Sequence, residues 1–392
     1  MYSYSQRLSW ASSANAFSGL LAARRAAGFP LLDLTVSNPT EVLSDYPHTE
    51  IARALSSISD FTYRPDPCGV PEARSAIAAY YRERSVAVSE GRILLTASTS
   101  EAYSLLFKLF CDAGDEILVP VPSYPLFEYL AALESVATVT YRLLYDGNWF
   151  IDLEHLRDRI SERTRAIVVV NPNNPTGSFL KRREMERLLD LARERQLPII
   201  SDEVFSDYSM ADRHGFVWSF SEFDSALTVS LNGLSKTAGM PQMKLGWMVL
   251  NGPASQVALA RGRLEIVLDT YLSVATPVQR ALTHLFDIGA TVRDKLKRRV
   301  RKNLEAAHEI LSRSPAHCLH TEGGWSAIIQ LPNILSEEHW IARLVEEALV
   351  AAQPGYFYDM ASEPFVIVSL ITRPDIFRDA LGRLRQLTLH AR

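Results

Sequence analysis

Short apolar runs alternate with amphipathic stretches through the first two thirds of the chain. The apolar runs predict buried strands, because compact segments rich in Val, Ile and Leu without a helical repeat favour the interior of a sheet. Seven strands are predicted, at residues 93–96, 116–119, 137–143, 165–170, 197–201, 226–230 and 245–250. Apolar residues at helical spacing predict helices between them, at residues 101–111, 124–133, 152–160 and 181–193.

This alternation predicts an α/β fold, since parallel strands need long crossover connections that are usually helices. We expect a large domain over residues 46–287, in which a mostly parallel seven-stranded sheet lies between helices. Residues 288–392 predict a smaller α+β domain with a long helix at 290–312. Residues 1–45 are expected to form an arm and part of that small domain, with a strand at 31–36 that pairs with the C-terminal unit.

Composition and charge narrow the class of protein. The chain has 392 residues, of which 47% are hydrophobic and 22% charged, as in folded globular proteins. The net charge of −4 argues against a protein built to hold nucleic acid or an anionic membrane, so the basic run at 295–301 is interpreted as a solvated helix face. No stretch approaches the roughly 18 apolar residues of a membrane helix, and the N-terminus lacks the pattern of a secretory signal.

The three cysteines are Cys68, Cys111 and Cys318. Their odd number, their wide spacing and the absence of a C-x-x-C pair indicate neither a disulfide framework nor a metal site. A reducing cytoplasm suits this usage.

Candidate chemistry follows the predicted strands. N-P-N-N-P-T-G at 171–177, S-D-E-V-F at 201–205 and N-G-L-S-K-T-A-G at 232–239 each come after an apolar run, where open α/β sheets bind ligands. Each segment alone also fits a plain turn, a helix cap or a surface lysine. T-A-S-T-S-E at 96–101 fits both a capping box and an anion site at the start of a helix. Lys236 stands among small residues, where a desolvated amine becomes a nucleophile able to form a Schiff base.

Taken in order and spacing, these segments resemble the pyridoxal-phosphate (PLP) aminotransferases of fold type I, class I/II family, over nearly the whole chain. Further landmarks are Y-R-P-D-P-C-G-V-P at 63–71, A-G-D-E-I-L-V-P-V-P-S-Y-P at 113–125 and M-K-L-G-W at 243–247. The resemblance implies an amino-group transfer from an amino acid or amine to a 2-oxo acid by ping-pong half-reactions. It also implies PLP as cofactor and a homodimer as the active unit.

The resemblance also assigns roles to individual residues. Lys236 would hold PLP as an internal aldimine and then carry the proton, and Asp202 would pair with the pyridine nitrogen. The other residues implied in cofactor binding are Ser98, Thr99 and Ser100 as the phosphate cup, Tyr124 stacked on the ring, Asn174 on the 3′-oxygen, Ser235, and Tyr63 reaching the neighbouring subunit's phosphate.

Three positions near the cofactor depart from the family pattern. Phe205 stands where a tyrosine usually donates to the 3′-oxygen, which should raise the pKa of the Schiff base. Lys244 stands in place of a phosphate-binding arginine, and Gly233 in place of a serine. The phosphate site is therefore expected to make fewer contacts than usual.

The residues expected to bind the substrate depart further from the family pattern, because Ile367 stands where the family carries the arginine for the substrate carboxylate. Either another cation substitutes, or the substrate lacks an α-carboxylate at that point. Arg373 is the first candidate cation and Arg24 the second. The other implied substrate residues are Ser37 and Asn38 as neutral donors, Asn174, and Trp325 after Gly323-Gly324.

Two alternatives stay open. One is another PLP enzyme on the same scaffold, such as a β-lyase, a decarboxylase or a specialised biosynthetic enzyme, which the Ile367 departure favours. The other is a non-catalytic PLP-binding module of a transcription regulator, which we do not expect because no helix-turn-helix pattern precedes the fold.

Overall fold

The computed structural model describes residues 2–8, 10, 15–210, 215–360 and 364–391. These residues contain fourteen α-helices and fourteen strands. The helices are α1 (Ala16–Ala26), α2 (Pro39–Val42), α3 (His48–Ser56), α4 (Pro71–Arg82), α5 (Thr99–Phe110), α6 (Phe127–Leu133), α7 (Leu153–Asp158), α8 (Arg182–Arg195), α9 (Leu234–Thr237), α10 (Ala254–Tyr271), α11 (Thr276–Arg280), α12 (Leu282–Leu311), α13 (Glu337–Glu346) and α14 (Pro374–His390). The strands are β1 (Leu32–Asp33), β2 (Ile93–Thr96), β3 (Glu116–Val121), β4 (Ala137–Tyr145), β5 (Trp149–Ile151), β6 (Thr164–Val170), β7 (Ile199–Asp202), β8 (Thr228–Gly233), β9 (Gly246–Asn251), β10 (His317–Cys318), β11 (Ser326–Gln330), β12 (Val350–Ala351), β13 (Gln353–Pro354) and β14 (Phe365–Ser369).

The main sheet has the strand order β2-β9-β8-β7-β6-β3-β4-β5, eight strands within the described residues. Strands β8, β7, β6, β3 and β4 pair in parallel, whereas β9 is antiparallel to both of its neighbours. All seven predicted strands are present, and the prediction of a seven-stranded sheet is wrong by one strand. The additional strand β5 is antiparallel to β4, joined to it by a short turn at residues 146–148.

Both faces of this sheet are covered, as the apolar runs predict. Along β6, Ala166 and Val168 belong to one hydrophobic core, while Ile167 and Val169 belong to another. Successive side chains of a strand point to opposite faces, so each face of β6 packs against its own layer. The α/β architecture with helices on both sides is therefore confirmed.

The C-terminal part forms a four-stranded sheet in the order β10-β11-β14-β13. The predicted N-terminal strand is confirmed as β1, which pairs in parallel with β12 through Leu32 opposite Val350. Helix α12 begins earlier than predicted and runs through the expected boundary at 287/288. One core also joins residues from all three predicted segments, among them Phe17, Trp247 and Leu296, so the domain division stays a prediction. Within the described part of the chain, every helix is too short or too polar to span a bilayer.

Candidate active site

A cavity of about 300 Å³ lies where the central parallel strands end. Val170 ends β6, Asp202 ends β7, and helix α9, which follows β8 directly, carries Lys236. Residues from the C-terminal sheet, including Ser326 of β11 and Ser369 of β14, complete the wall. The cavity therefore lies between the two sheets, at the position that the sequence predicts for a ligand.

The Lys236 amine lies against two aromatic rings. Its Nζ is 4.4 Å from the centre of the Trp325 ring and 5.3 Å from that of Phe205. Burial lowers the pKa of Lys236 to about 8, and the charge of Asp202 only partly opposes this. About a tenth of the amine is thus unprotonated at pH 7, far more than for an ordinary lysine, and the unprotonated form is the nucleophile.

Hydrogen bonds to the main chain hold helix α9. The hydroxyl of Tyr208 donates to the Lys236 carbonyl oxygen at 2.8 Å. The Arg293 guanidinium donates to the carbonyl oxygen of Thr237 at 3.0 Å. Because α9 has only one turn, these donors satisfy carbonyls at its C-terminal end that have no partner within the helix.

The Asp202 carboxylate is buried, with 7% of the residue exposed. Burial raises its pKa to about 6, although the Val204 N–H at 3.2 Å and the Tyr103 hydroxyl at 3.1 Å favour the charged form. Asp202 is therefore mainly ionised at neutral pH in a poorly solvated place. A cationic group of a bound molecule would be stabilised here.

The loop after β6 brings Asn174 to the cavity. Its Oδ1 accepts a hydrogen bond from the Ser326 hydroxyl at 3.2 Å, which ties the loop to the C-terminal sheet. Gly177, at a φ of +69°, lies so close to Gly323 that an added Cβ would be 2.4 Å from the Gly323 carbonyl oxygen. Only glycine fits this crossing of the two loops.

The start of helix α5 forms the predicted cap. The Ser98 Oγ accepts from the Glu101 N–H at 3.1 Å, and the Glu101 carboxylate accepts from the Ala97 N–H at 2.6 Å. Thr99 and Ser100 line the cavity immediately after this cap. Their hydroxyls and the positive end of a twelve-residue helix suit an anionic group.

The packing explains why residue 233 is glycine. An added Cβ at Gly233 would lie 3.1 Å from the Gly246 Cα and 3.1 Å from the Leu245 carbonyl oxygen. Gly246 is equally tight against the main chain of Ser98 and Thr99. A serine at 233 would push this backbone apart, so position 233 supplies no hydroxyl near the start of α5.

Most of the predicted site residues share this one cavity. Those on its lining are Ser37, Thr99, Ser100, Tyr124, Asn174, Asp202, Phe205, Ser235, Lys236 and Trp325. Besides the candidate arginines, four predicted residues lie elsewhere. Ser98 caps α5, Asn38 caps α2 by accepting from the Thr40 N–H at 3.1 Å, Lys244 is exposed, and Tyr63 is 69% exposed at the surface. The proposed phosphate roles of Lys244 and Tyr63 stay predictions, and the Asn38 side chain is engaged as a cap rather than at the cavity.

The structure does not bring Arg373, the predicted substrate anchor, to the cavity lining. Its guanidinium is at the surface, where Nη2 lies 2.7 Å from Asp375 Oδ2. Arg24 is also outside the cavity lining and lies 4.0 Å from Glu346. Ile367 does line the cavity, as its place in β14 predicts.

The sequence reasoning missed further lining residues. Tyr103, which donates to Asp202, lies one helical turn after Thr99 and so on the same face of α5, a signal that the spacing contains. Gln353 of β13 and Tyr358 of the segment after it reach the cavity through the pairing of β13 with β14, and local spacing gives no sign of them. Ser369 lies two residues after Ile367 on β14 and so on the same face, a signal that the spacing contains.

This arrangement suits a particular kind of ligand. An amine nucleophile, a buried carboxylate and the start of a helix converge on one cavity. An aldehyde with a ring nitrogen that can be protonated and a phosphate group would satisfy all three, so the residues present fit PLP.

Comparison with known proteins gives a consistent picture. The family model for aminotransferases of class I and II matches residues 30–374. The chain is 32% identical over 258 residues to the glutamate-pyruvate aminotransferase of Escherichia coli K12, covering 65% of this chain and 63% of that enzyme. It is 32% identical over 207 residues to the tyrosine aminotransferase of Dictyostelium discoideum, covering 53% and 49%.

Solved structures share the fold. An alanine aminotransferase from Pyrococcus furiosus superposes with a TM-score of 0.88 at 23% identity, covering 99% of this chain and 100% of that one. An aspartate aminotransferase from Thermotoga maritima gives 0.84 at 23% identity, with the same coverage.

Proposed function

The chain belongs to the aminotransferase class I and II family, and on that premise we propose that it moves an amino group from an amino acid or amine to a 2-oxo acid. The observation that carries this proposal is the joint placement of Lys236 and Asp202 in one cavity, with the pKa of the amine lowered to about 8. A weakly basic lysine beside a buried carboxylate is a common arrangement for covalent amine chemistry.

We propose PLP as the cofactor, which supplies an aromatic system that accepts an electron pair from the substrate carbon when bound. Lys236 would bind its aldehyde carbon, and Asp202 would pair with its ring nitrogen. Thr99 and Ser100 at the start of α5 would bind its phosphate. The remaining contacts would be Tyr124 against the ring, Asn174 at the 3′-oxygen, and Ser235 beside the phosphate.

We propose that Lys236 also transfers the proton in each half-reaction. Its Nζ would take the proton from the amine-bearing carbon of the donor and return it to the cofactor, and the reverse in the second half-reaction. A pKa of about 8 leaves both the free amine and the ammonium populated near neutral pH, so the same group serves as base and as acid. The rings of Phe205 and Trp325 lie beside this nitrogen and keep bulk water from it.

We propose that the active unit is a homodimer located in the cytoplasm. Tyr63 is a large aromatic residue that is 69% exposed, as a side chain that serves a neighbouring subunit would be in a single chain. The three cysteines are unpaired, which a reducing compartment supports.

A donor–acceptor screen on the PLP-loaded protein tests the proposal. Amines and amino acids are mixed with the protein, and conversion of the cofactor to its amine form is followed by absorbance. Return of the original spectrum on adding a carbonyl compound supports transfer. Release of ammonia or CO2 without that return indicates the lyase or decarboxylase alternative.

Lys236→Ala removes the proposed nucleophile. Lys302→Ala, which removes a lysine at an exposed position of α12, is its control. We expect Lys236→Ala to lose covalent attachment of PLP and at least ~10³-fold in transfer rate, while the control keeps both. Covalent PLP in Lys236→Ala contradicts the assignment of the lysine.

A further inference from the structure

The cavity wall from the C-terminal sheet has a defined composition. Ile367 and Ser369 are two residues apart on β14 and so face the same side of the sheet. The β-ladders place Ser326 opposite Ser369 and Gln353 opposite Ile367. All four residues line the cavity, so this wall consists of two hydroxyls, one amide and one aliphatic side chain.

This wall carries no positive charge. Among the described lining residues of the cavity, Lys236 is the one cation. Of the arginines considered as anchors, Arg373 lies at the surface beside Asp375, and Arg24 is half-buried outside the cavity near Glu346. A carboxylate that entered beside Ile367 would lose water without gaining a counter-ion, which strongly disfavours its binding.

The wall does offer neutral hydrogen-bonding groups. The Ser369 Oγ has no hydrogen-bond partner among the described residues, although only 7% of the residue is exposed. A buried hydroxyl without a partner is unfavourable, so a ligand that bonds to it is favoured. Gln353 accepts from the Tyr358 hydroxyl through Oε1, which leaves its Nε2 as a donor.

We propose that the amino donor of this enzyme is a primary amine that carries a neutral hydroxyl or amide head in place of the α-carboxylate, bound by Ser369 and Gln353. The inference rests on the proposed transaminase function and narrows its substrate class. The aliphatic body of the donor packs on Ile367. A ping-pong enzyme uses the same wall for both substrates, so a neutral aldehyde or ketone is also favoured over the corresponding 2-oxo acid as acceptor.

The overall transfer balances without a further reactant. The donor carbon exchanges its C–N and C–H bonds for a C=O bond, a two-electron oxidation. The acceptor carbonyl gains the amino group and the hydrogen, a two-electron reduction. One water supplies the carbonyl oxygen of the donor product in the first half-reaction, and the acceptor oxygen leaves as one water in the second, so no net water is used.

Three donors with one carbon skeleton test the proposal: 2-aminobutanoate, 2-amino-1-butanol and 2-aminobutanamide. Single-turnover conversion of the PLP-loaded protein gives kcat/KM for each. We expect the alcohol and the amide to exceed the acid at least ~10-fold, the factor that one good buried interaction supplies. An acid that reacts as fast as the neutral donors, or faster, overturns the proposal, whatever supplies its anchor.

Two variants locate the effect. Ile367→Arg should raise kcat/KM for 2-aminobutanoate at least ~10-fold, because it adds a bidentate partner for the carboxylate, while Ile367→Met should not. Ser369→Ala should slow 2-amino-1-butanol several-fold and leave sec-butylamine, which lacks the head group, unchanged. An equal loss with both amines means that Ser369 acts only on packing and overturns its role.

A binding measurement separates this proposal from the proposed function. Calorimetric titration of the PLP-loaded protein with butanamide and with butanoate involves no turnover. Tighter binding of butanamide supports the neutral wall even if no amine is transferred. Tighter binding of butanoate overturns it even if transfer occurs.

Discussion

At the scale of single residues, the central feature is a pair of groups whose pKa values are shifted toward each other. Burial lowers the pKa of Lys236 to about 8 and raises that of Asp202 to about 6. Both shifts have the same cause, the loss of water around a charge, and the two charges offset it only in part. Without a bound cofactor, the site therefore costs folding free energy.

The cost of Lys236 should appear as a pH-dependent difference in apoprotein stability. Replacing it by methionine in Lys236→Met removes a buried charge, so we expect the free energy of unfolding at pH 7 to rise by about 3 kcal/mol. The native pKa of about 8 lies below the unfolded value of 10.5, so the native state binds fewer protons between them. Wild-type stability should then gain on the variant as pH rises from 8 to 10.5.

Urea denaturation of both apoproteins at several pH values checks this expectation. Lys302→Met on the exposed face of α12 is the control and should show no such pH dependence. A stability difference that stays constant from pH 7 to 10.5 contradicts the shifted pKa of Lys236.

Phe205 gives a second prediction at this scale. Its ring lies 5.3 Å from the Lys236 nitrogen and lines the cavity, but it has no hydrogen-bond donor. Phe205→Tyr introduces a hydroxyl that would stabilise a nearby oxygen anion, so we expect the pKa of the bound cofactor's colour change to fall by about one unit.

A spectral pH titration of the PLP-loaded variant measures this pKa. Phe205→Leu is the matched control, since it alters the ring without adding a donor. An unchanged or higher pKa in Phe205→Tyr would contradict the account of residue 205.

At the scale of elements, the start of α5 combines a structural and a binding role. The Ser98 cap satisfies a free N–H of the helix and fixes the turn from which Thr99 and Ser100 reach the cavity. Loss of the cap should therefore change both stability and the affinity for a phosphate group.

Ser98→Ala and Ser336→Ala separate these two roles. Ser336 caps α13 by accepting from the His339 N–H at 3.3 Å and is not on the cavity lining. Each variant should lose about 1 kcal/mol of stability, the usual value of a serine cap. Only Ser98→Ala should also bind PLP several-fold more weakly, as measured by titration of the apoprotein. Equal PLP affinity in the two variants would mean that the cap has no part in binding.

Elements also show how far the sequence alone predicts the structure. The long apolar runs were sufficient to predict seven strands of the main sheet, because a strand that is buried on both faces has a continuous apolar sequence. Strand β5 has only three residues with alternating burial, so it lacked that signal, although Asp146-Gly147 is a common turn. Helix α6 begins at Phe127 rather than 124, which leaves Tyr124 in the preceding turn, on the cavity.

The residues of the candidate site also divide into those that the sequence predicts and those that it does not. Lys236 and Asn174 follow strands of one sheet and Asp202 ends another strand of it, and the ends of parallel strands lie at the same edge of a sheet. The cavity wall from the C-terminal sheet is formed by β11, β13 and β14, whose register with one another is a long-range property. Arg373 lies at the surface beside Asp375 at the start of α14, as its position directly before Pro374 also allowed.

At the scale of the whole molecule, helix α12 and a shared core join the two sheets. The helix has 30 residues, about 45 Å at 1.5 Å per residue, and it crosses the boundary expected at 287/288. The Asn303 side chain donates to the Leu370 and Thr372 carbonyl oxygens beyond β14 at 2.8 and 2.7 Å. The C-terminal sheet is thus attached to the same helix that holds α9 through Arg293.

The proposed homodimer gives a prediction at this scale. If Tyr63 serves the partner's phosphate, Lys236→Ala and Tyr63→Ala chains should each be inactive or weak alone. Mixed dimers contain one site with Lys236 and Tyr63 both intact, so co-refolding equal amounts should restore about a quarter of the wild-type rate.

Transfer rates of the mixture, compared with each variant alone, decide the matter. Tyr2→Ala, at another exposed tyrosine, replaces Tyr63→Ala in the control. Mixing that restores no rate beyond the sum of the separate variants contradicts a site shared between subunits.

The placement of the cavity between two sheets has a consequence for how the substrate preference of such a protein can evolve. The groups proposed for the covalent chemistry come from the large sheet, and the groups proposed to contact the rest of the substrate come from the small one. Mutations in β11, β13 or β14 can therefore alter which molecule is accepted while the reactive lysine and its carboxylate neighbour stay untouched. Such a division of labour lets an ancestral catalyst diversify toward new metabolites by changing a few side chains on three short strands.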